Sequence, residues 1–392
     1  MMRLGDLFDF KNGRAFEKAE WKESGLPIIR IQNLNNPNSP FNYFQGSYDS
    51  AIEINSGDLL FSWSGTVGSS FGPHIWDRDT GLLNQHIFKI SFKTDMVLKY
   101  AYYSLLYITE EIERSVVGAV GLVHVTKKSL NEFKIPAPPI PEQIRIVEIL
   151  DQALSDINEV RVGTLQNLKN VRELFDSYLQ QVFSQRGEGW VEKSISELGL
   201  VQTGNTPSTS DKNNFGDFIP FVKPGHFLDG GSLNLDIDGL SEQGKKQSRV
   251  IPENSVLMVC IGATIGKCGF SELEVTCNQQ VNALTPVEEL NHRFAYYQML
   301  TPGFQSKVIR LSGQATLPII NKKKWSSLPL AYPCVTEQLE IVSRLDGLKE
   351  RTLDLEAVYQ NKMGELEALK KSILQKAFTG KLTYRESKGV AA

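Results

Sequence analysis

Residues 142–151 read Glu-Gln-Ile-Arg-Ile-Val-Glu-Ile-Leu-Asp, and residues 337–346 read Glu-Gln-Leu-Glu-Ile-Val-Ser-Arg-Leu-Asp. Glu, Gln, Ile, Val, Leu and Asp recur in place 195 residues apart. At the same offset Ser177-Tyr178-Leu179-Gln180-Gln181-Val182-Phe183 faces Ser372-Ile373-Leu374-Gln375-Lys376-Ala377-Phe378. Pro138 faces Pro333, Gly118 faces Gly313, and Lys127-Lys128 faces Lys322-Lys323. Upstream the offset drifts to 194, where Tyr100-Ala101-Tyr102-Tyr103 meets Phe294-Ala295-Tyr296-Tyr297 and Asn84-Gln85 meets Asn278-Gln279. Near the start it is 191, with Leu7 and Gly13 against Leu198 and Gly204. An ordered series of matches with small drifts marks a duplicated unit with short loop insertions. The period is half of the 392-residue chain, too long for a solenoid repeat.

The quoted stretch opens a long helix. It follows a proline block, Pro136 to Pro141, or Pro329 to Pro333 in the second copy. Proline suits a helix start and breaks a helix interior. None follows between Glu142 and Arg186, so this helix can run about 65 Å at 1.5 Å per residue. Its apolar seam steps by three and four through Val147, Leu150, Leu154, Ile157, Arg161, Thr164, Leu168, Val171, Phe175, Tyr178 and Val182. The middle of that seam is polar, and Gly163 lies there. The second helix, Glu337 to about Thr379, gives Ile341, Leu345, Leu348, Thr352, Leu355, Tyr359, Lys362, Leu366, Leu369 and Ile373. These are coiled-coil stripes. The two helices are each other's natural partners, although each can also pack on its own domain. Gly187-Glu188-Gly189 and Gly380 punctuate the ends. Because a domain precedes a helix in both copies, a pseudo-two-fold axis pairs the helices antiparallel.

The parts before the helices are rich in Gly, Asn, Ser, Pro and aromatics. Short β-like runs, Leu26–Ile31, Asp58–Trp63 and Ser255–Ile261, alternate with turn signals such as Asn55-Ser56-Gly57-Asp58 and Pro252-Glu253-Asn254. Helices are expected around Val97–Ile112 and Asn291–Leu300. The predicted class is α+β. Two tandem α/β domains with mixed or barrel-like sheets (1–136 and 187–331) each precede a long helix (137–186 and 332–381). A flexible tail, 382–392, closes the chain.

Composition supports globular domains: 41% of residues are hydrophobic and 22% charged. No run of about 18 apolar residues offers a membrane span. The opening Met1-Met2-Arg3-Leu4-Gly5-Asp6 has no apolar signal core, so a cytoplasmic protein is expected. Cys260, Cys268, Cys277 and Cys334 form no Cys-x-x-Cys pair and read as reduced core residues. His74, His86, His124, His226 and His292 have no metal-ligand spacing, so no metal site is expected. Gly262-Ala263-Thr264-Ile265-Gly266-Lys267-Cys268 is too short for a phosphate loop and lacks its hydroxyl, so a strand-ending turn is the better reading. Neither a Gly-x-Ser-x-Gly elbow nor a Gly-x-Gly-x-x-Gly fingerprint occurs, nor an Asn-Pro-Pro-Tyr type motif for a flipped base. The chain is expected to bind rather than catalyse, with no cofactor of its own.

Arg and Lys read guanine edges, and Asn and Gln read adenine edges. Candidates of these types, with neighbouring aromatics and hydroxyls, sit in loops of both copies. In the first they are Arg14, Arg30, Gln32, Asn33, Trp63, Ser64, Thr66, Asn84, Gln85 and His86. In the second they are Lys223, His226, Lys245, Lys246, Arg249, Asn278, Gln279 and Gln280. Lys127-Lys128 and Lys322-Lys323-Lys324 are compact clusters suited to phosphates. Loop amides also serve as turn formers, and lysine runs as solvated faces; recurrence in both copies strengthens the lysine case. A net charge of −3 neither announces nor excludes nucleic-acid binding, because a basic face can be local.

Along essentially its whole length the chain resembles the specificity subunit of type I restriction–modification systems. The features that carry the likeness are Leu4-Gly5-Asp6-Leu7…Lys11-Asn12-Gly13 and the turns Gly65–Gly68 and Gly262–Gly266. The helix starts at Pro138…Glu142-Gln143 and Pro333…Glu337-Gln338 match too, as does Leu374-Gln375-Lys376-Ala377-Phe378-Thr379-Gly380-Lys381-Leu382. The resemblance implies two target-recognition domains, each reading half of a split double-stranded DNA site, with the helices as spacer. It implies docking of two methyltransferase subunits at the helical regions, for which Glu142, Gln143, Phe183, Glu337, Gln338 and Phe378 are the candidates. Those partners carry S-adenosylmethionine and methylate adenine N6, and further motor-nuclease subunits use ATP and Mg2+. Asn84-Gln85-His86 differs from Asn278-Gln279-Gln280, which implies unlike half-sites. The helices show no short tandem repeat from which a spacer length can be read. The competing reading is a duplicated non-catalytic scaffold that joins proteins without DNA readout.

Overall fold

The computed structural model describes residues 1–36, 38–65, 70–116, 123–228, 230–236, 238–313 and 317–382, with backbone alone for 113–116 and 123–124. Thr66, the Gly65–Gly68 turn beyond Gly65, and 383–392 of the expected tail lie outside the described residues. Two compact units result: Met1–Thr164 with the segment from Lys362 onward, and Leu165–Asn361. Each unit therefore holds one sheet-rich domain, the start of one long helix and the end of the other.

In the first unit an antiparallel sheet runs in the order Phe8–Asn12, Ile87–Phe92, Leu59–Ser62, Gly72–Ile75. Phe8 and Phe10 point inward while Asp9 and Lys11 face out, as the two-residue period of a half-covered strand requires. The helix Leu98–Val116 closes over this face, packing Ala101, Leu105, Ile108 and Ile112 on Phe8, Phe10, Leu59, Phe61 and Phe88. A second, mixed sheet has the order Asn42–Phe44, Leu26–Ile29, Gly81–Leu83, Glu53–Ile54, and its central pair is parallel. The short ribbon Met2–Arg3 against Lys134–Ile135 ties the domain's two ends together.

The second unit repeats this plan. Its antiparallel sheet is Gly199–Thr203, Val281–Pro286, Ser255–Val259, Cys268–Ser271. Its mixed sheet is Gly239–Leu240, Phe215–Val222, Val275–Cys277, Val250–Ile251, again with a parallel central pair. Val191–Ser194 pairs with Pro329–Tyr332 to close the ends. Where the first unit has one helix, the second has two, His292–Leu300 and Pro302–Ser312. Thr301 breaks them by accepting the Phe304 N–H, and Pro302 starts the new helix where its missing donor is tolerated. The Gly262–Gly266 stretch is a hairpin turn with positive φ at both glycines (104° and 89°), as expected. Three of the four cysteines are buried; Cys334 is exposed, against the expectation of a core residue.

The long helices span Ile140–Ser184 and Val335–Phe378. Each starts with the same staple. Gln143 accepts the Val97 N–H (2.9 Å) and donates to the Pro138 carbonyl (2.8 Å). Gln338 accepts the Asn291 N–H (2.8 Å) and donates to the carbonyls of Glu289 (2.8 Å) and Pro333 (2.9 Å). Two turns later Asp151 accepts from Tyr103 Oη (2.6 Å) and Lys99 Nζ (2.6 Å), and Asp346 from Tyr297 Oη (2.6 Å) and Arg293 Nη2 (3.0 Å). Gln143, Val147, Leu150 and Asp151 fall at i, i+4, i+7 and i+8, one helix face. The repeated sequence is thus the docking face of a helix on its own domain.

The far end of each helix docks in the other unit. In the first, Leu374, Ala377 and Phe378 join Ile146, Val147 and Leu150, and the Phe378 ring stacks on Tyr107. In the second, Leu179 and Phe183 pack with Val342 and Leu345, and Phe183 meets Phe294. The helices therefore run antiparallel within each unit. Every seam position expected on the first helix is buried or half-buried. On the second helix one edge is corrected: Leu355 and Leu369 are 42% and 47% exposed and Lys362 is exposed. Lys349, Glu356, Met363 and Lys370 turn inward instead. Docking of Gln338, Val342, Leu345 and Asp346 sets the helix rotation, and the three-four spacing from there selects the row one residue over. The polar members of this row are engaged: Glu356 pairs with Arg172 (3.1 Å), and Lys349 lies over Phe175, Tyr296 and Tyr297.

Gln143→Leu or Gln338→Leu leaves a buried N–H and carbonyl without partners. Each is expected to lower stability by about 1–3 kcal/mol in urea titrations of the whole chain. Burial pushes the Asp151 carboxyl up, but hydrogen bonds from Lys99 and Tyr103 and the Lys99 charge outweigh it and hold it below 3.8. A depressed folded value means stability present at higher pH and lost as pH falls through it. The stability difference between wild type and Asp151→Asn is therefore expected to shrink below about pH 4, measured by denaturation across pH.

Candidate nucleic-acid interface

Three sequence motifs far apart in the chain meet at one corner of each unit. In the first, Gly13 passes beneath the Asn84 segment, where an added Cβ would lie 2.2 Å from the Asn84 carbonyl oxygen; only glycine permits this crossing. Arg14 then bridges Asn84. Trp63 N–H donates to the His86 carbonyl (3.3 Å), and the Trp63 carbonyl accepts from Val125 N–H (3.1 Å), just before Lys127-Lys128. The Trp63 ring lies 5.3 Å from His86, and its Nε1 donates to Asn12 Oδ1 (3.0 Å).

The second unit builds the same junction from other side chains. Gly204 crosses with its would-be Cβ 2.1 Å from the Cys277 carbonyl oxygen. Cys260 N–H donates to the Gln280 carbonyl (2.7 Å), and the Cys260 carbonyl accepts from Ile320 N–H (2.9 Å), just before Lys322-Lys323-Lys324. Cys260 is buried, and burial pushes its thiol up to about 12, so it offers neither the ring nor a reactive thiolate. Gln279 is exposed here, and so are Leu317 and Ile319, the latter bridged to Ile261.

The lysine clusters sit on the short helices Lys127–Glu132 and Lys322–Ser326, anchored by buried Leu130 and Trp325. They differ electrostatically. Lys127 pairs with Asp9 (3.0 Å), whose carboxyl is held below its ordinary value mainly by that hydrogen bond. The matching strand of the second unit carries Leu200, 55% exposed. No carboxylate lies within ion-pair distance of Lys128, Lys322, Lys323 or Lys324 among the described residues.

Other candidates are engaged, buried or on the adjoining turn. Arg30 lies over Trp21 (5.3 Å), directly after Ile29, whose carbonyl accepts the Asn84 N–H (3.0 Å), and Gln32 is exposed in the turn that follows. Asn33 is fully buried and holds that turn through Arg30 N–H and the Ser39 and Pro40 carbonyls, which removes it from an outward role. Ser64 and Asn278 are buried, Asn278 bonding Gln280. His226 is buried too, accepting from Lys223 N–H while its Nε2 meets Asp238 (3.0 Å), which also pairs with Lys223 Nζ (2.9 Å). Lys245 pairs with Glu274 (2.7 Å) and Lys246 with Glu242 (3.1 Å). Of the six partner-docking candidates, Gln143, Gln338, Phe183 and Phe378 are buried within their own units, which corrects an outward role for them; Glu337, which accepts from Trp190 Nε1 (3.0 Å), and Glu142 are half-buried. Asn12, Thr203, Asn205 and Thr206 belong to the corners but were not singled out by residue type. The paired glycines 13 and 204, aligned by the repeat alone, lie at the same place.

Among the described residues no group of three or more His, Cys, Asp or Glu is placed to hold a metal ion. No helix there is long and apolar enough to cross a membrane.

The chain is thus a twice-written domain with one polar, partly basic corner per copy. The family model for the type I restriction modification DNA specificity domain matches residues 1–170 and 187–363, and the chain belongs to that family. It is 23% identical to the type I restriction enzyme EcoBI specificity subunit of Escherichia coli, over 97% of this chain and 85% of that one. The MjaVIII specificity subunit of Methanocaldococcus jannaschii is 22% identical over 97% and 92%. A chain solved in work on assembly and conformational transition of the type I R-M system superposes with a TM-score of 0.77, 20% identity and 97% coverage of both chains. The HsdS subunit of Thermoanaerobacter tengcongensis gives 0.55, with 20% identity and coverage of 97% and 96%.

If the lysine helices grip phosphates, the second unit contributes more. In the assembled complex, replacing Lys322, Lys323 and Lys324 by Gln is expected to lower the slope of log affinity against log salt by about 0.9 for each phosphate no longer neutralised. The Lys127→Gln, Lys128→Gln pair should lower it less, because Lys127 is already neutralised by Asp9. Titrations at several salt concentrations measure both.

Proposed function

We propose that this chain is the DNA-reading, non-catalytic subunit of a cytoplasmic type I restriction–modification complex, each unit reading half of an asymmetric two-part site in double-stranded DNA. One observation carries the reading: the same backbone junction recurs in both units with different side chains on it, Trp63 and His86 in one, Cys260 and Gln280 in the other. Two copies of one frame that differ in their polar groups suit two unlike half-sites. The long helices act as the spacer.

Two methyltransferase subunits dock on the helical regions, bringing S-adenosylmethionine and methylating adenine N6 on a flipped base. Exposed apolar side chains near the helix middles support this: Val160, Val162 and Leu165 on one helix, Leu353, Leu355 and Val358 on the other. Exposed apolar groups clustered like this favour a covering partner. Motor-nuclease subunits supply the ATP- and Mg2+-dependent steps. A chain of net charge −3 then holds DNA through local cationic corners plus its partners' surface.

Co-expression with a type I methyltransferase subunit, followed by methylome sequencing, is expected to give one split adenine-methylated motif with unlike halves. Absence of any split motif, together with salt-insensitive DNA binding, would favour a protein scaffold instead. Inserting one heptad into 142–183 and another into 337–378 is expected to widen the gap and leave both halves unchanged. An altered half with an unchanged gap counts against the spacer.

A further inference from the structure

In the second unit most basic or amide groups outside the lysine helix are engaged. Lys223, Lys245 and Lys246 are in ion pairs, and His226 and Asn278 are buried. Among the candidate residues of this unit two exposed groups remain, each held from behind. Arg249 donates its main-chain N–H to Asn205 Oδ1 (2.8 Å) and Nη1 to the Thr203 carbonyl (2.6 Å). Asn205 is itself fixed by donating Nδ2 to the Gln247 carbonyl (2.8 Å). The Nε–Nη2 edge of Arg249 keeps its donors, and no carboxylate lies within ion-pair distance among the described residues. Gln279 accepts the Thr206 hydroxyl at Oε1 (2.7 Å), which orients its amide and leaves the Nε2 donors and one lone pair. Both side chains are exposed, and the Gly204 crossing ties their supporting segments together.

The first unit keeps the glutamine, as Gln85, and lacks the arginine. Arg249 precedes Val250, which pairs with Thr276; Ile52 precedes Glu53, which pairs with Leu82 in the matching strands. Ile52 is buried. The first unit's arginine at this corner is Arg14, lying over Phe16 and Phe44 and bonded to Glu20.

We propose that Arg249 and Gln279 are the base-reading pair of the second unit, Arg249 on guanine O6 and N7 and Gln279 on adenine N6 and N7. Asn205 and Thr206 are positioning residues that touch no base. The inference rests on the DNA-reading function proposed above. A donor fork selects guanine and an amide selects adenine because their major-groove edges differ, and discrimination requires the reading groups to be held in place. The half-site of the second unit therefore contains a G·C and an A·T pair that depend on these side chains.

The test uses the complex assembled with its methyltransferase subunits, on a DNA library randomised across the target. Arg249→Lys keeps the charge and loses the fork; it is expected to relax one G·C position by about 5- to 150-fold. Gln279→Leu relaxes one A·T position similarly, and Thr206→Val relaxes that same position less, with recovery in Thr206→Ser. The other half-site stays unchanged throughout. An unchanged motif in Arg249→Lys and Gln279→Leu overturns the proposal. So does a uniform loss over all sequences, the signature of a phosphate contact. Thermal melting identifies any variant that fails to assemble, in which case the surface substitutions at Thr206 and Gln279 decide. A wild-type complex with no split motif would instead defeat the underlying function.

Discussion

A buried glutamine amide at the head of each long helix holds the architecture together. Gln143 and Gln338 satisfy the backbone where the proline block ends and the first free N–H of a domain helix points into the same space. An unpaired amide there would cost about as much as a buried hydrogen bond contributes, so side chain and geometry are mutually required. Once that staple is set, the aspartate two turns later and the aliphatic residues between them can only face the domain. The helix rotation follows, and with it every seam position downstream.

That constraint also explains why the second helix buries charged side chains while leaving leucines outside. Docking fixes which row turns inward, and Lys349 and Glu356 fall on it. Their stems cover the seam while the heads find aromatic rings or an arginine. The leucines of the neighbouring row are left on the surface. A helix serving only its own chain would gain from the opposite choice, which fits a surface meant to be covered in a larger assembly.

The two corners show how a duplicated frame carries two different sets of side chains. Backbone hydrogen bonds from the Trp63 and Cys260 positions are equivalent, and the glycine crossings are equivalent. These features use main-chain atoms and tolerate no side chain at the crossing. The residues hung on them are free to differ, since they contribute little to the core. A tryptophan and a histidine stand in one copy where a buried cysteine and a glutamine stand in the other, so different groups hang on the same scaffold.

The duplication, the domain-plus-helix order, the helix limits within two or three residues and the first helix's seam were all legible in the sequence, because proline, glycine and hydrophobic spacing act locally. The meeting of Gly13 with Asn84, and of Gly204 with Asn278, was not, because matched offsets pair one copy with the other and not residues within a copy. What the sequence left open depends on contacts between distant residues. Whether Gln143 staples the helix or faces a partner, whether Lys127 is free or paired with Asp9, and which row of the second helix turns inward all depend on what lies opposite. An amide or a lysine is the same residue type in either role, and only the tertiary structure supplies the partner that decides between them.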